Sequence, residues 1–195
     1  MNENGFWKVC EALDCRVRIE LFRYLHSIER DAYPCVNELA ERFGLASATI
    51  SVHMKKLANV GLVLSRRADR RVYYRAFPSG PSGGRVLAAL REFFARNPDE
   101  ERIRKFHAYA HALSHVRRHL IVRCLAAAPG IDLKTLSART EMPPQTADRL
   151  WGELAKARIV DLASRVVPPP EDPELMLLEM TLAPDGFSVL GKTEN

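Results

Sequence analysis

Apolar positions in the first thirty residues recur at three- and four-residue steps. Val17, Leu21, Phe22, Leu25 and Ile28 fall on one face, so Phe6 to Ile28 reads as helical, with a break near Asp14. Asp14 is placed to cap the second helix, with Cys15 in its first turn. AYPCV (32–36) reads as a short extended segment because Pro34 opposes helix. Asn37 is placed to cap the next helix, which turns Leu39, Ala40 and Phe43 inward and closes at Gly44. Leu45 packs the turn that follows. A further helix, from about Ser47 to Asn59, points Ile50, Met54 and Leu57 inward and leaves Ser47, Ala48, Ser51, Val52 and Lys55 outside. Gly61 ends it. Leu62, Val63 and Leu64 are then expected to pair with Val72, Tyr73 and Tyr74 across the tip RRADRR (66–71).

PSGPSGG (78–84) punctuates the chain, and RVLAALREFFAR (85–96) resumes a helical stripe through Val86, Leu87, Leu90, Phe93 and Phe94. The two phenylalanines suit either a face between subunits or packing within one chain. Asn97-Pro98 stops that helix, and Pro98 can begin another. His107, His111, His115 and His119 follow at steps of four, a spacing at which a helical pair can chelate a metal, although no carboxylate or thiol lies within the stripe. The second half then repeats the first. ALDCRVRIELFRYL (12–25) aligns with ALSHVRRHLIVRCL (112–125) at an offset of 100, which places a break near Ser114. VNELAERFGLASATISVHMKKLANVGLV (36–63) aligns without gaps with LKTLSARTEMPPQTADRLWGELAKARIV (133–160) at an offset of 97. The expected architecture is mainly α with small β wings: two tandem winged helix-turn-helix domains joined by a helical connector. The first would span 1–97 and the second 98–195.

Charge separates the halves. Residues 1–97 hold 16 Lys/Arg against 10 Asp/Glu, while 98–195 hold 13 against 14. Positions 44–75 alone carry seven basic residues and one acidic one, the distribution of a surface that neutralises phosphates. The second copy has lost these features. Its third helix offers Gln145, Asp148, Arg149, Gly152 and Glu153 outward, and the tip VVPPPEDPE (166–174) has three acids and no cation. The apolar run LMLLEMTL (175–182) is expected to be a strand, paired with 158–164 or packed on a partner. No apolar run approaches the roughly 18 residues of a membrane span. The N-terminus lacks the pattern of a signal peptide. Four irregularly spaced cysteines suit a reducing cytoplasm. Phosphate-binding glycine loops, serine elbows and zinc-protease signatures are absent, so an enzyme is not expected and no cofactor is implied.

RVRIELFRYL (16–25), NELAERFGLASATISVHMKKLANVGLV (37–63) and RRADRRVYYR (66–75) together resemble the ArsR/SmtB-type family of bacterial winged-helix repressors over about the first 95 residues. The resemblance implies a dimer that binds palindromic operators in duplex DNA, usually represses, and in many members lets go when metal or another signal binds. Three departures stand out. Metal-sensing members often carry two cysteines one residue apart at the start of this motif, whereas here Cys35 is followed by Val36 and Asn37. Ala46 replaces the usual serine cap of the recognition helix, leaving Ser47 to cap or the first turn to fray. Val52 stands where many members have histidine.

The leading expectation is a cytoplasmic transcriptional regulator, a homodimer reading DNA with Ser47, Thr49, Ser51, Val52, Lys55 and Lys56, with Arg66, Arg67, Arg70 and Arg71 holding phosphates. The acidic copy would serve pairing or regulation. Two alternatives stay open: a thiol- or metal-responsive variant using Cys10, Cys15 and Cys35, and a winged-helix scaffold for protein partners without DNA affinity.

Overall fold

The stripe of the first thirty residues forms two helices, α1 (Trp7–Leu13) and α2 (Arg16–Ser27), in the computed structural model. It describes residues 6–28, 33–76, 84–161 and 163–168. These helices belong to different compact units: among the described residues, 15–99 form one, and 6–14 join those from Glu100 onward in the other. This division falls two residues after the expected boundary between 97 and 98, and α1 groups with the later residues. The reason is packing. Val9, Cys10 and Leu13 of α1 are buried, as is Phe6 just before it, and α1 packs on α6 (Glu100–Leu113), which buries Ile103, Phe106, Ala110 and Leu113.

The first unit continues from α2 through α3 (Val36–Phe43), α4 (Ser47–Asn59), β1 (Val63–Ala68), β2 (Arg71–Ala76) and α5 (Gly84–Ala95). Leu39, Ile50, Met54, Leu57 and Leu62 are fully buried around Ile19, Leu21 and Phe22 of α2. Each such side chain contributes roughly 1.5–3 kcal/mol by leaving water, so this cluster is what holds the helix-turn-helix together. Two capping expectations are corrected. α3 begins one residue before Asn37: Cys35 is the cap residue, and its backbone N–H donates to Glu38 Oε2 at 2.8 Å. An acceptor three residues on satisfies that part-buried N–H, and the Asn37 side chain bonds elsewhere. At α2 the cap residue is Cys15, extended and without a side-chain bond, and Asp14 instead closes α1. Gly44 adopts the left-handed conformation expected of it, φ 62°. Phe93 and Phe94 of α5 bury inside this unit, with the Phe94 ring edge-on to Phe22 at 5.7 Å between centroids.

In the second unit α6 stops at Leu113, and α7 (Val116–Ala127), α8 (Leu133–Thr140) and α9 (Pro144–Lys156) pack on one another. Their lengths are 12, 8 and 13 residues, the lengths of α2, α3 and α4, at the offsets of 100, 97 and 97 seen in the sequence. The turn between α8 and α9 repeats as well, with Glu141 at φ 52° where the first trio has Gly44. After α9, Val160 and Val166 form an isolated antiparallel bridge. The expected strand over 175–182, residues 169–174 of the acidic tip and most of the 78–84 connector lie outside the described residues.

Candidate nucleic-acid interface

α4 exists because its inner positions bury completely while its outer ones cost nothing to leave wet. Ile50, Met54 and Leu57 are at 0% exposure. Ser47, Ala48, Thr49, Val52, Lys55, Lys56 and Asn59 are exposed, and Ser51 is half-buried. Thr49 therefore faces outward. Ala46 is the residue before the helix and makes no side-chain cap. Ser47 does not cap either; its hydroxyl donates to Asn37 Oδ1 at 3.0 Å, tying the first residue of α4 to the second residue of α3. The outer face thus carries small side chains at its first turn, an apolar one at its centre and two cations in its later turns. His53 borders this face, and burial, then the charges of Arg18 and Lys56, lower its pKa.

The hairpin differs from expectation in how it spends its arginines. β1 and β2 pair in the register Val63↔Ala76, Ser65↔Tyr74, Arg66↔Tyr73, Arg67↔Val72 and Ala68↔Arg71, so the strands run further than six residues of tip would allow. Only Asp69 and Arg70 form the turn, with Asp69 at φ 53°. Aspartate tolerates that left-handed conformation better than a branched residue would. Alternation then separates the cations: Arg66, Arg71 and Arg75 share one face, Arg67 lies on the other beyond Val63 and the buried Tyr74, and Arg70 occupies the tip. All four expected arginines are exposed.

The wing is fixed at its base. Tyr74 N–H donates to the Pro34 carbonyl at 3.0 Å, and Cys35 forms a bridge with Tyr73, so the extended segment around Pro34 borders β2 on the side away from β1. The Arg75 guanidinium stacks over the Tyr33 ring at 5.1 Å. Arg75 was not among the residues singled out from the sequence, although period-two alternation from Arg71 would have placed it on the same face. Cys35 is buried at 3% exposure in this bridge, Cys15 is half-buried, and Cys10 is fully buried in the other unit. Among the described residues no group of three or more His, Cys, Asp or Glu side chains is arranged to hold a metal ion.

The histidine stripe is divided by the break at Ser114. Asp14, at the end of α1, sits between two of its members: Asp14 Oδ1 lies 3.4 Å from His107 Nε2 and 3.0 Å from His111 Nδ1. This carboxylate, 97 residues from His111 in sequence, could not be found from the stripe itself. His115 caps α7 by accepting the Arg117 N–H at 3.1 Å. His119 is buried at 7% exposure, and burial, followed by the charges of Arg123 and Arg118, lowers its pKa to about 4. On α9, Gln145, Asp148 and Arg149 are exposed, and Gly152 and Glu153 are half-buried; Glu153 lies between Arg149 and Arg118.

A three-helix core whose last helix carries an exposed polar face, followed by an antiparallel hairpin, is a winged helix-turn-helix. Residues 23–65 match the family described as bacterial regulatory protein, arsR family. The chain is also similar to the arsenic resistance transcriptional regulator ArsR1 of Pseudomonas putida, 36% identical over 72 residues, which are 37% of this chain and 52% of that protein. It thus spans about half the length of this curated relative. No solved structure gives a significant match. No helix among the described residues is long and apolar enough to cross a membrane.

Proposed function

We propose that this chain is a DNA-binding transcriptional regulator, a cytoplasmic repressor that acts as a homodimer on an inverted repeat. The observation that carries this is the pairing of α4 with the wing. A helix bare enough to approach base edges stands directly before a hairpin with exposed Arg66, Arg67, Arg70 and Arg71. Ser47, Thr49, Ser51, Val52, Lys55 and Lys56 would enter or flank the major groove. Arginines on two faces and at the tip of a narrow hairpin suit a finger lying along the backbone, with phosphates on either side. A single recognition helix reads a short half-site, and twofold pairing doubles it.

The second unit would then be a degenerate winged helix that pairs or regulates. Its helix trio repeats the lengths of the first, yet α9 presents Gln145, Asp148 and Glu153 where α4 has Ala48, Ser51 and Lys56. Acidic groups at those positions repel phosphate.

The test is selection from a random duplex library followed by binding at several salt concentrations. Wild-type protein should enrich an inverted repeat and bind it less tightly as salt rises. Replacing the four wing arginines with alanine should flatten the dependence of log K on log salt by about 0.9 for each phosphate no longer neutralised. Absence of binding at low salt, or a slope that the substitutions leave unchanged, would falsify the proposal.

A further inference from the structure

We propose that Val52 is a specificity residue that reads the 5-methyl group of thymine in the major groove; this rests on the DNA-binding reading above. Val52 is 58% exposed, the most exposed large hydrophobic side chain among the described residues. It sits at the middle of α4, one turn after Ala48 and one turn before Lys55 and Lys56 on the same outer face, all three exposed. Nothing within the fold calls for valine there. More than half of the residue's surface stays in water, and a β-branched residue is a poorer helix former than the alanine, glutamate or lysine that would serve an ordinary wet surface.

The surroundings define the partner. Ala48 and Ser51 are small, so a flat edge can come up to the helix at this point, and Lys55, Lys56 and the wing arginines supply the charge that draws phosphate to either side. Of the groups that base pairs display in the major groove, the thymine methyl is the apolar one; the others are hydrogen-bond donors and acceptors, which valine cannot satisfy. Valine also has essentially one χ1 rotamer in a helix, so its methyls are already fixed and ordering them against a base costs little. A thymine methyl packed on Val52 removes apolar surface from both sides. Any other base edge at that place would lose water to an apolar wall.

The experiment compares two random duplex libraries, one made with thymine and one with uracil throughout, which differ only in the methyl group. The full-length chain, Val52→Ser and Val52→Asn are used against each. From the thymine library the wild-type protein should select one thymine at a fixed place in every half-site, and uracil at that place alone should weaken binding roughly fourfold for each methyl removed. Val52→Ser and Val52→Asn carry no methyl group, so they should lose the thymine preference there and bind the uracil and thymine duplexes equally. Both should stay close to the wild-type melting temperature, because the side chain is outside the core, and keep the wild-type salt slope, because it touches no phosphate. A uracil-insensitive wild-type protein, or a Val52→Ser variant that still prefers thymine to uracil at that place, overturns the assignment while leaving DNA binding intact. Failure of every protein to enrich any duplex overturns both.

Discussion

The Ser47 hydroxyl donates to the Asn37 amide oxygen at 3.0 Å, joining the start of α4 to the start of α3 across the helix-turn-helix. The bond exists because Glu38 takes over the capping of α3, accepting from Cys35 N–H at 2.8 Å and leaving Asn37 to reach sideways. It adds a tie between the two helices where Ala46 offers no cap of its own.

Asn37→Ala and Ser47→Ala should each lower stability by roughly 0.5–1 kcal/mol, as for a solvent-exposed neutral hydrogen bond. The double variant should cost less than the two single losses combined, because either change alone removes the same bond. Urea unfolding of the four proteins measures the coupling; strictly additive losses would show that the two side chains act independently.

The turns at Gly44 and Glu141 make a matched pair. Both residues are left-handed, φ 62° and 52°, but only one is glycine. Gly44→Ala has open space around its new Cβ, so its cost is conformational and should be about 1 kcal/mol. Glu141→Gly should run the other way and stabilise the second unit by up to about 1 kcal/mol, relieving the strain that glutamate bears there. Thermal denaturation of both variants checks the opposite signs.

Two histidines make stability depend on pH. The pKa of His119 is lowered to about 4 chiefly by burial, and that of His26 to about 4 by burial and then the Arg91 charge, from an ordinary value of 6.5. Above pH 6.5 neither the folded nor the unfolded chain holds these protons, and the histidines cost nothing. Between 6.5 and about 4 only the unfolded chain takes them up, so stability falls as pH falls. The loss from the buried His119 should reach a few kcal/mol at the bottom of that window. Asp132 and Asp161, held low mainly by backbone N–H donors, lose their contributions only below the ordinary carboxylate range. His119→Ile, which installs the residue that the offset of 100 places at Ile19, should flatten the fall in melting temperature between pH 7 and 5.

The thiols should differ in reactivity. Cys10 is fully buried, and burial pushes its thiol far above the ordinary range, so it should resist alkylation in the native protein. Cys15 and Cys124 are half-buried and should react first. Iodoacetamide labelling followed by mass spectrometry orders the four; rapid labelling of Cys10 under native conditions would show that α1 detaches readily from α6.

Much of this protein is legible in its sequence. The three-to-four-residue stripes of Ile50, Met54 and Leu57, the glycine at 44 and the alternating hairpin follow from local rules of burial and backbone conformation, and they define the outer face of α4 without reference to the rest of the chain. Helices α7, α8 and α9 have the lengths of α2, α3 and α4 and lie at the offsets of 100 and 97 at which the two stretches of sequence align. What local rules do not contain is the choice among competing partners for one side chain. Asp14 could cap α2 by its position, but the tertiary structure brings α1 onto α6 and sets its carboxylate between His107 and His111. Asn37 could cap α3, but Glu38 does so and Asn37 goes to Ser47. Four arginines clustered in sequence become two faces and a tip only when the register of β1 and β2 is set by Val63 and Tyr74 entering the core. Sequence determined which faces are apolar, because that is a matter of period and composition. Tertiary structure decided which polar groups meet, because those bonds are worth little apart and form wherever the packed core happens to bring their partners within reach.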